Sequence, residues 1–291
     1  MGAGAAFTWA ARGTWLAMAL VGGAGFGGAL AEHSRQVQVT ATVVLWVLWA
    51  VVALALMVPS TVSLTVVRTI VPGALVCAVI AAVAGDSAVD ETVCLGIAFV
   101  TCALVASGEL GEHFAQASAY GDERRFVLRP PVPFLVPAVV TWFVLCTCAV
   151  IAPLALAARA WAVGLPLAAA TLALAWFLGR RFHRLSRRWL VLVPAGVVIH
   201  DHLVLAETVM FRRGAVDSIG LALADTEAAD LTGPAAGHAV QIVLRDVETV
   251  VLAPTRNKPG GTALQVGAVL IAPSRPGRVL TEAAARGLVV G

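Results

Sequence analysis

Charge is what this sequence has least of. Only 13% of its 291 residues are Asp, Glu, Lys or Arg, about half the share usual in soluble domains, and this excludes a wholly soluble chain. A disordered chain and a coiled coil are excluded with it, since both need charged residues in quantity. Cysteine is sparse, at five residues with no cysteine-rich module, so a secreted disulfide scaffold is excluded too. Lysine is nearly absent, with Lys258 standing against 19 Arg. No P-loop, dinucleotide fingerprint, GxSxG elbow or intramembrane acidic pair occurs in the chain. What is abundant is apolar: 59% hydrophobic residues and a mean hydropathy of +0.89 describe a multi-span membrane protein.

A helix that crosses the hydrocarbon layer needs about 20 mostly apolar residues, because only a helix satisfies its own backbone hydrogen bonds there. Six stretches qualify, at 14–31, 38–58, 62–85, 92–108, 134–158 and 160–178. The second is free of charge and closes at Pro59. The third carries Arg68 near one end, where a long side chain is expected to snorkel to the interface. Arg159 separates the last two, which are expected to insert as an antiparallel pair. The first also reads as a signal peptide, with Arg12, an apolar run and Ala29-Leu30-Ala31 as a cleavage site. Its Gly23 and Gly27 have the GxxxG spacing that permits close helix approach.

Lys and Arg are retained on the cytoplasmic side of a membrane. With both termini cytoplasmic, the inner loops up to the end of the hinge carry ten arginines, from Arg12 and Arg68 through Arg124, Arg125 and Arg129 to Arg188, whereas the outer loops carry only Arg35 and Arg159. The acidic turn of Asp86, Asp90 and Glu91 is then outside. This orientation places the chain in the cell membrane as a multi-pass protein with a cytoplasmic C-terminal domain.

Composition changes at Arg180. The membrane domain is 1–179, and residues 180–188 form a basic juxtamembrane hinge with Arg180, Arg181, Arg184, Arg187 and Arg188. Such clusters are attracted to anionic lipid headgroups, so membrane lipids are expected partners here, beside the plainer role of topology anchor. From 189 to 291 no further apolar run of span length occurs, and eight basic against nine acidic residues leave the tail near neutral. Nucleic-acid binding by a basic face is therefore not expected.

The tail reads as strands. In 239–245, Val240, Ile242 and Leu244 alternate with Gln241 and Arg245, and Leu264, Val266, Ala268 and Leu270 alternate in 263–271. Strands are also expected at 189–193, 197–202, 208–212, 215–221 and 248–252, with a turn at Pro194-Ala195-Gly196 and a surface loop at 225–237. A helix follows with Ser274 as N-cap, Pro276 in its first turn and Gly287 as its stop. Seven short strands closed by one helix is the order of a pleckstrin-homology-like barrel.

Five stretches, Tyr120 to Phe126 (YGDERRF), Ser186 to Gly196 (SRRWLVLVPAG), Phe211 to Arg213 (FRR), Asp225 to Thr232 (DTEAADLT) and Ala272 to Leu280 (APSRPGRVL), resemble a group of uncharacterised multi-pass membrane proteins of actinobacteria with a C-terminal pleckstrin-homology-like domain. The resemblance covers roughly residues 120 to 280. It implies an architecture and a source but supplies no active site, and the tail resembles bacterial pleckstrin-homology-like domains that follow transmembrane helices. Unlike lipid-binding members of that wider fold, its first turn, Pro194 to Gly196, is short and lacks basic residues, which argues against phosphoinositide binding.

Four clusters bear on chemistry. Glu109, Glu112 and His113 sit together where the fourth span ends, but ELGEH lacks the second histidine of a zinc helix, and a solvated helix end is the simpler reading. His200 and His202 share a strand face and lack further ligands nearby in sequence. Cys77, Cys94, Cys102, Cys146 and Cys148 lie in spans as small apolar residues, none in a CxxC pair. Asp122, Glu123, Arg124 and Arg125 form a charged cytoplasmic loop, read either as salt-bridged solvation or as a docking loop for the tail or a partner. No catalytic, cofactor or metal residue is assigned. The expected function is that of a non-enzymatic scaffold or regulator at the inner membrane face with a protein partner for its tail; the alternative is a small-solute or lipid transporter or channel component.

Overall fold

The computed structural model of the chain describes residues 2–29, 32–84, 88–254 and 258–291. Its contacts divide it into a helical unit, Met1–Phe114 with Val139–His183, and a β unit, Ala115–Ala138 with Arg184–Gly291. The expected cleavage site at Leu30 and Ala31, and Gly85 and Asp86, lie outside the described residues, as do the surroundings of Gly23 and Gly27.

Among the described residues seven helices come before the second strand: α1 (Ala3–Ala29), α2 (Arg35–Met57), α3 (Thr61–Ala84), α4 (Ala88–Ala106), α5 (Gly108–Gln116), α6 (Val132–Ala157) and α7 (Trp161–Ser186). Their apolar residues go all the way round, so large side chains remain outside the packed seams, as Leu54, Phe99 and Leu172 do, the signature of helices meant for a bilayer. Four helices are long and apolar enough to cross a membrane, Arg35–Met57, Thr61–Val83, Val132–Ala157 and Trp161–Ser186. A fifth arises if Asp90–Ala106 and Gly108–Gln116, bent by 53°, form one span. The six expected spans thus become four or five among the described residues. The one expected at 14–31 is not among them: α1 starts at Ala3, encloses Arg12 and turns glycine-rich in its second half.

The packed seam of the helical unit runs between α1, α2, α3 and α4 through Trp15, Leu56, Leu64, Val67, Val71 and Ala98. Several of its polar side chains donate to helix backbone. Trp15 Nε1 donates to the Trp49 carbonyl at 3.0 Å and Trp49 Nε1 to the Trp15 carbonyl at 3.1 Å, a reciprocal tie between α1 and α2. Arg12 donates from Nε and Nη2 to the Leu56 carbonyl at 3.0 and 2.8 Å, at the end of α2. Arg68 of α3 does the same for α4, reaching the Val105 and Ser107 carbonyls at 3.3 Å each. The last carbonyls of a helix have no intrahelical donor and carry partial negative charge, so a guanidinium there serves both needs. Arg68 thus spends its guanidinium on the end of α4. Ser107 makes the bend, because its Oγ accepts from Leu110 N–H at 3.2 Å and starts α5 as a new helix. Against α3, α6 places Trp142, whose Nε1 donates to the Thr69 carbonyl at 2.7 Å, and α7 places His183, 3.1 Å from Thr65 Oγ1.

The β unit contains β1 (Arg124–Val127), β2 (Trp189–Val193), β3 (Gly196–His200), β4 (Val209–Arg212), β5 (Val216–Leu221), β6 (Ala229–Asp230), β7 (Val240–Leu252) and β8 (Thr262–Ile271), then α8 (Pro276–Ala285). They form two four-stranded sheets, ordered β1-β2-β3-β4 and β5-β7-β8-β6. The unit is not the closed barrel expected from sequence. A 3-10 turn, Arg213–Ala215, separates β4 from β5, and among the described residues the backbone pairing that links the sheets consists of single bridges such as Leu128 to Pro273 and Leu205 to Leu252. Between the sheets lies one core of Phe126, Leu190, Ile199, Phe211, Ile242 and Val269, closed by Val279 and Ala283 of α8.

Two strands differ from expectation for visible reasons. The two expected strands at 239–245 and 248–252 are one strand, β7, whose pairing with β8 jumps between Val243 and Glu248. This bulge lets a single chain bend with the sheet. Within the expected loop 225–237, Ala229 and Asp230 pair parallel to Val269 and Leu270 as β6. Gly196, at φ +153, lies so near the Phe211 carbonyl that a Cβ would sit 2.1 Å from it, which fixes glycine at that turn.

Candidate functional site

The residues singled out by sequence are sorted by the structure into three places. The basic hinge is helical, since α7 runs through Ser186. Arg180, Arg181, Arg184 and Arg187 are exposed on it. Arg180 lies 4.1 Å over the Trp176 ring and Arg181 4.3 Å over Phe177, both aromatic residues being exposed. Aromatic rings followed by arginines one turn on is the arrangement suited to a membrane-water boundary, where rings sit at headgroup level and guanidinium groups face phosphate.

Arg188 does not belong with them. It is 1% exposed and donates from Nε and Nη2 to the two Asp201 carboxylate oxygens at 2.8 and 2.6 Å, and from Nη1 to the Arg129 carbonyl at 2.5 Å. Asp201, also 1% exposed, accepts a further bond from Leu203 N–H at 3.1 Å. A forked, fully enclosed pair of this kind locks geometry and leaves nothing for a lipid phosphate, so Arg188 is removed from the expected headgroup contacts.

The charged loop holds a strand. Arg124 to Val127 pair antiparallel with Leu192 to Trp189, making β1 the edge of the first sheet. Gln116 fixes the approach, donating from Nε2 to the Glu123 carbonyl at 2.8 Å and accepting from Arg125 N–H at 2.9 Å. Glu123 accepts from Arg125 Nη2 at 2.6 Å. Asp122 reaches Arg286, the residue that caps the end of α8, at 3.1 Å, and Arg286 also holds Glu282 at 2.8 Å, one turn earlier. Phe126 faces the main core, whereas Val127 joins Ala115, Trp189 and Val191 on the opposite face of the sheet.

On that second face the two histidines meet an aromatic stack. Trp189 and His200 are parallel within 12° at 5.0 Å, Arg125 lies 5.1 Å over the Trp189 ring, and His202 meets His200 edge-on at 4.3 Å. His200 Nδ1 is 2.9 Å from Thr208 Oγ1. Burial first, then the proximity of His202, Arg187 and Arg125, pushes the His200 imidazole down to about 4, with Asp201 opposing. It is a neutral ring at neutral pH. Among the described residues no group of three His, Cys, Asp or Glu is placed to hold a metal.

Beside the Pro194 turn, sequence reasoning misses a groove of about 270 Å³, lined by Asp122, Val193, Gly196, Arg213, Arg286 and Leu288. Arg213 Nη2 donates to the Gly287 carbonyl at 3.3 Å. Arg213 and Arg286 are far apart in the sequence, and no local spacing announces their meeting. Glu109, Glu112 and His113 fall on α5, where the Glu109 carbonyl and His113 Cβ pack against Gly4 so closely that a Cβ there would lie 2.8 and 2.9 Å away. This is helix packing. Cys77, Cys94, Cys102, Cys146 and Cys148 are all free thiols.

Compared with protein-family models, curated proteins and solved structures, the chain matches none.

Proposed function

We propose that the chain is a non-enzymatic integral protein of the cell membrane that acts as a scaffold or regulator, with its β unit, a pleckstrin-homology-like module in an open two-sheet form, facing the cytoplasm. The observation that carries this reading is the groove at Arg213 and Arg286, a polar recess of about 270 Å³ on the β unit. Its arginines and its size suit an acidic side chain presented by a partner protein. The ten-to-two bias of arginines supports the cytoplasmic placement, and exposed Arg180, Arg181, Arg184 and Arg187 support contact with anionic headgroups.

The test is capture from native membranes with the full-length chain and with an R213E/R286E double variant. Partners held by the first and lost from the second support the reading. Identical partner sets, or none in either, count against the groove and move attention to the helical unit. A second reading, a small-solute or lipid transporter or channel component, is favoured by one observation, a carboxylate enclosed within the helices at Glu91.

A further inference from the structure

Sequence alone leaves Asp122 between salt-bridged solvation and a docking loop. In the structure Asp122 lines the arginine groove and already occupies it: Arg286 donates from Nη2 to Asp122 Oδ1 and from Nη1 to the Asp122 carbonyl, both at 3.1 Å. The two partners are held unequally. Arg286 is 18% exposed and is fixed by Glu282, which accepts from its Nε at 2.8 Å one turn back along α8. Asp122 is 78% exposed. An ion pair open to water on one side is screened and holds little, so this carboxylate can leave at small cost.

The second arginine is what Asp122 leaves unused. Arg213, exposed at the 3-10 turn after β4, lines the same groove and spends Nη2 on the Gly287 carbonyl at 3.3 Å. Gly287, at φ +71, makes room for it, since a Cβ there would lie 2.7 Å from that nitrogen. A guanidinium carries further N–H donors in a planar fork. A carboxylate brought from outside could therefore take donors from Arg213 as well as Arg286, and charge-assisted hydrogen bonds of this kind are the strong ones. The carboxylate already seated there identifies the chemistry of the occupant.

Release of Asp122 does not release β1. The next residue is tied separately: Glu123 accepts from Tyr120 N–H and from Arg125 Nη2 at 2.6 Å each, and its carbonyl accepts from Gln116 Nε2 at 2.8 Å.

We propose that Asp122 is a built-in competitor for the arginine groove, holding Arg286 in the resting protein until an acidic segment of a partner protein displaces it. The proposal rests on the reading of the groove as the partner site.

The test uses the full-length protein in nanodiscs of zwitterionic phosphatidylcholine, with a fluorescein-labelled tetraglutamate peptide as the probe and fluorescence anisotropy as the readout. D122A keeps the main-chain carbonyl and removes the competing carboxylate, so it is expected to bind the probe about 3-fold more tightly than the wild type. D217A frees an exposed arginine elsewhere on the β unit, Arg245, which lies 3.7 Å from Asp217, and is expected to change affinity by less than about 1.5-fold. R213E/R286E is expected to weaken binding by about 10-fold or more. Unchanged or weaker binding in D122A would overturn the proposal, and so would equal tightening in D217A, which reduces the effect to net charge. In both cases loss of binding in R213E/R286E leaves the groove standing as the partner site. Binding that survives R213E/R286E overturns the groove reading itself, and the proposal with it.

Discussion

Arginine is used in opposite ways in the two units. In the helical unit Arg12 and Arg68 pair with no carboxylate among the described residues and instead donate to the carbonyl ends of α2 and α4. In the β unit Arg125, Arg188 and Arg286 are each paired with Asp or Glu. An apolar layer makes a second buried charge costly, whereas a helix end already offers unpaired carbonyls with fractional negative charge. The β unit must fix the relation between strands distant in sequence, and a forked Arg–carboxylate pair does this with defined geometry.

The largest effect is expected where the pairing is fully enclosed. D201N or R188M strands one charge and should destabilise the β unit by roughly 3–5 kcal/mol, whereas the double replacement R188M/D201L should recover most of that loss. Chemical denaturation followed by protection of β2 and β3 peptides measures it; a double variant as weak as the singles would show that the pair is not the source. In the helical unit R68M should cost about 2 kcal/mol by leaving the α4 carbonyls without a donor, with R68K restoring part. Amide exchange across residues 104–110 checks this, and no change there would deny the cap.

A smaller effect separates the units by pH. His200 titrates near 4 when folded, against 6.5 as an unperturbed histidine, so between those values the unfolded chain binds a proton that the folded chain refuses. Stability of the β unit should therefore be full above about pH 6.5 and fall by about 1–2 kcal/mol toward pH 4, solvent screening included. H200F should flatten that slope while the helical unit changes little. The smallest effect belongs to D122A, whose pairing with Arg286 is solvent-exposed on the Asp122 side, and about 0–1 kcal/mol is expected from the same denaturation curves.

Legibility in the sequence followed hydrophobic period. Strands β2, β3, β5 and β8, the terminal helix with Gly287 in a left-handed conformation at φ +71, and the long apolar helices α2, α3, α6 and α7 are all readable from alternation or run length. β1 is not, because RRFV is four residues set between charge and Pro130-Pro131, too short for a period to show. A clue did exist in its partner: WLVLV is apolar at every position, which demands cover on both faces of the strand. Arg188 reads like its neighbours in the hinge because nothing local marks one arginine of five as enclosed; its partner Asp201 lies 13 residues on, across a hairpin. Glu91 was hidden in the same way, as the small residues around it come from three helices.

The central claim is that the β unit is built from two separated segments, with β1 from the connection between α5 and α6 completing the first sheet. Hydrogen exchange of the full-length protein tests it most directly. The account predicts that amides of residues 124–127 are protected to the same degree as those of 189–193 and that both lose protection together in D201N. Exchange of 124–127 at the rate of an open loop, with 189–193 still protected, would contradict it.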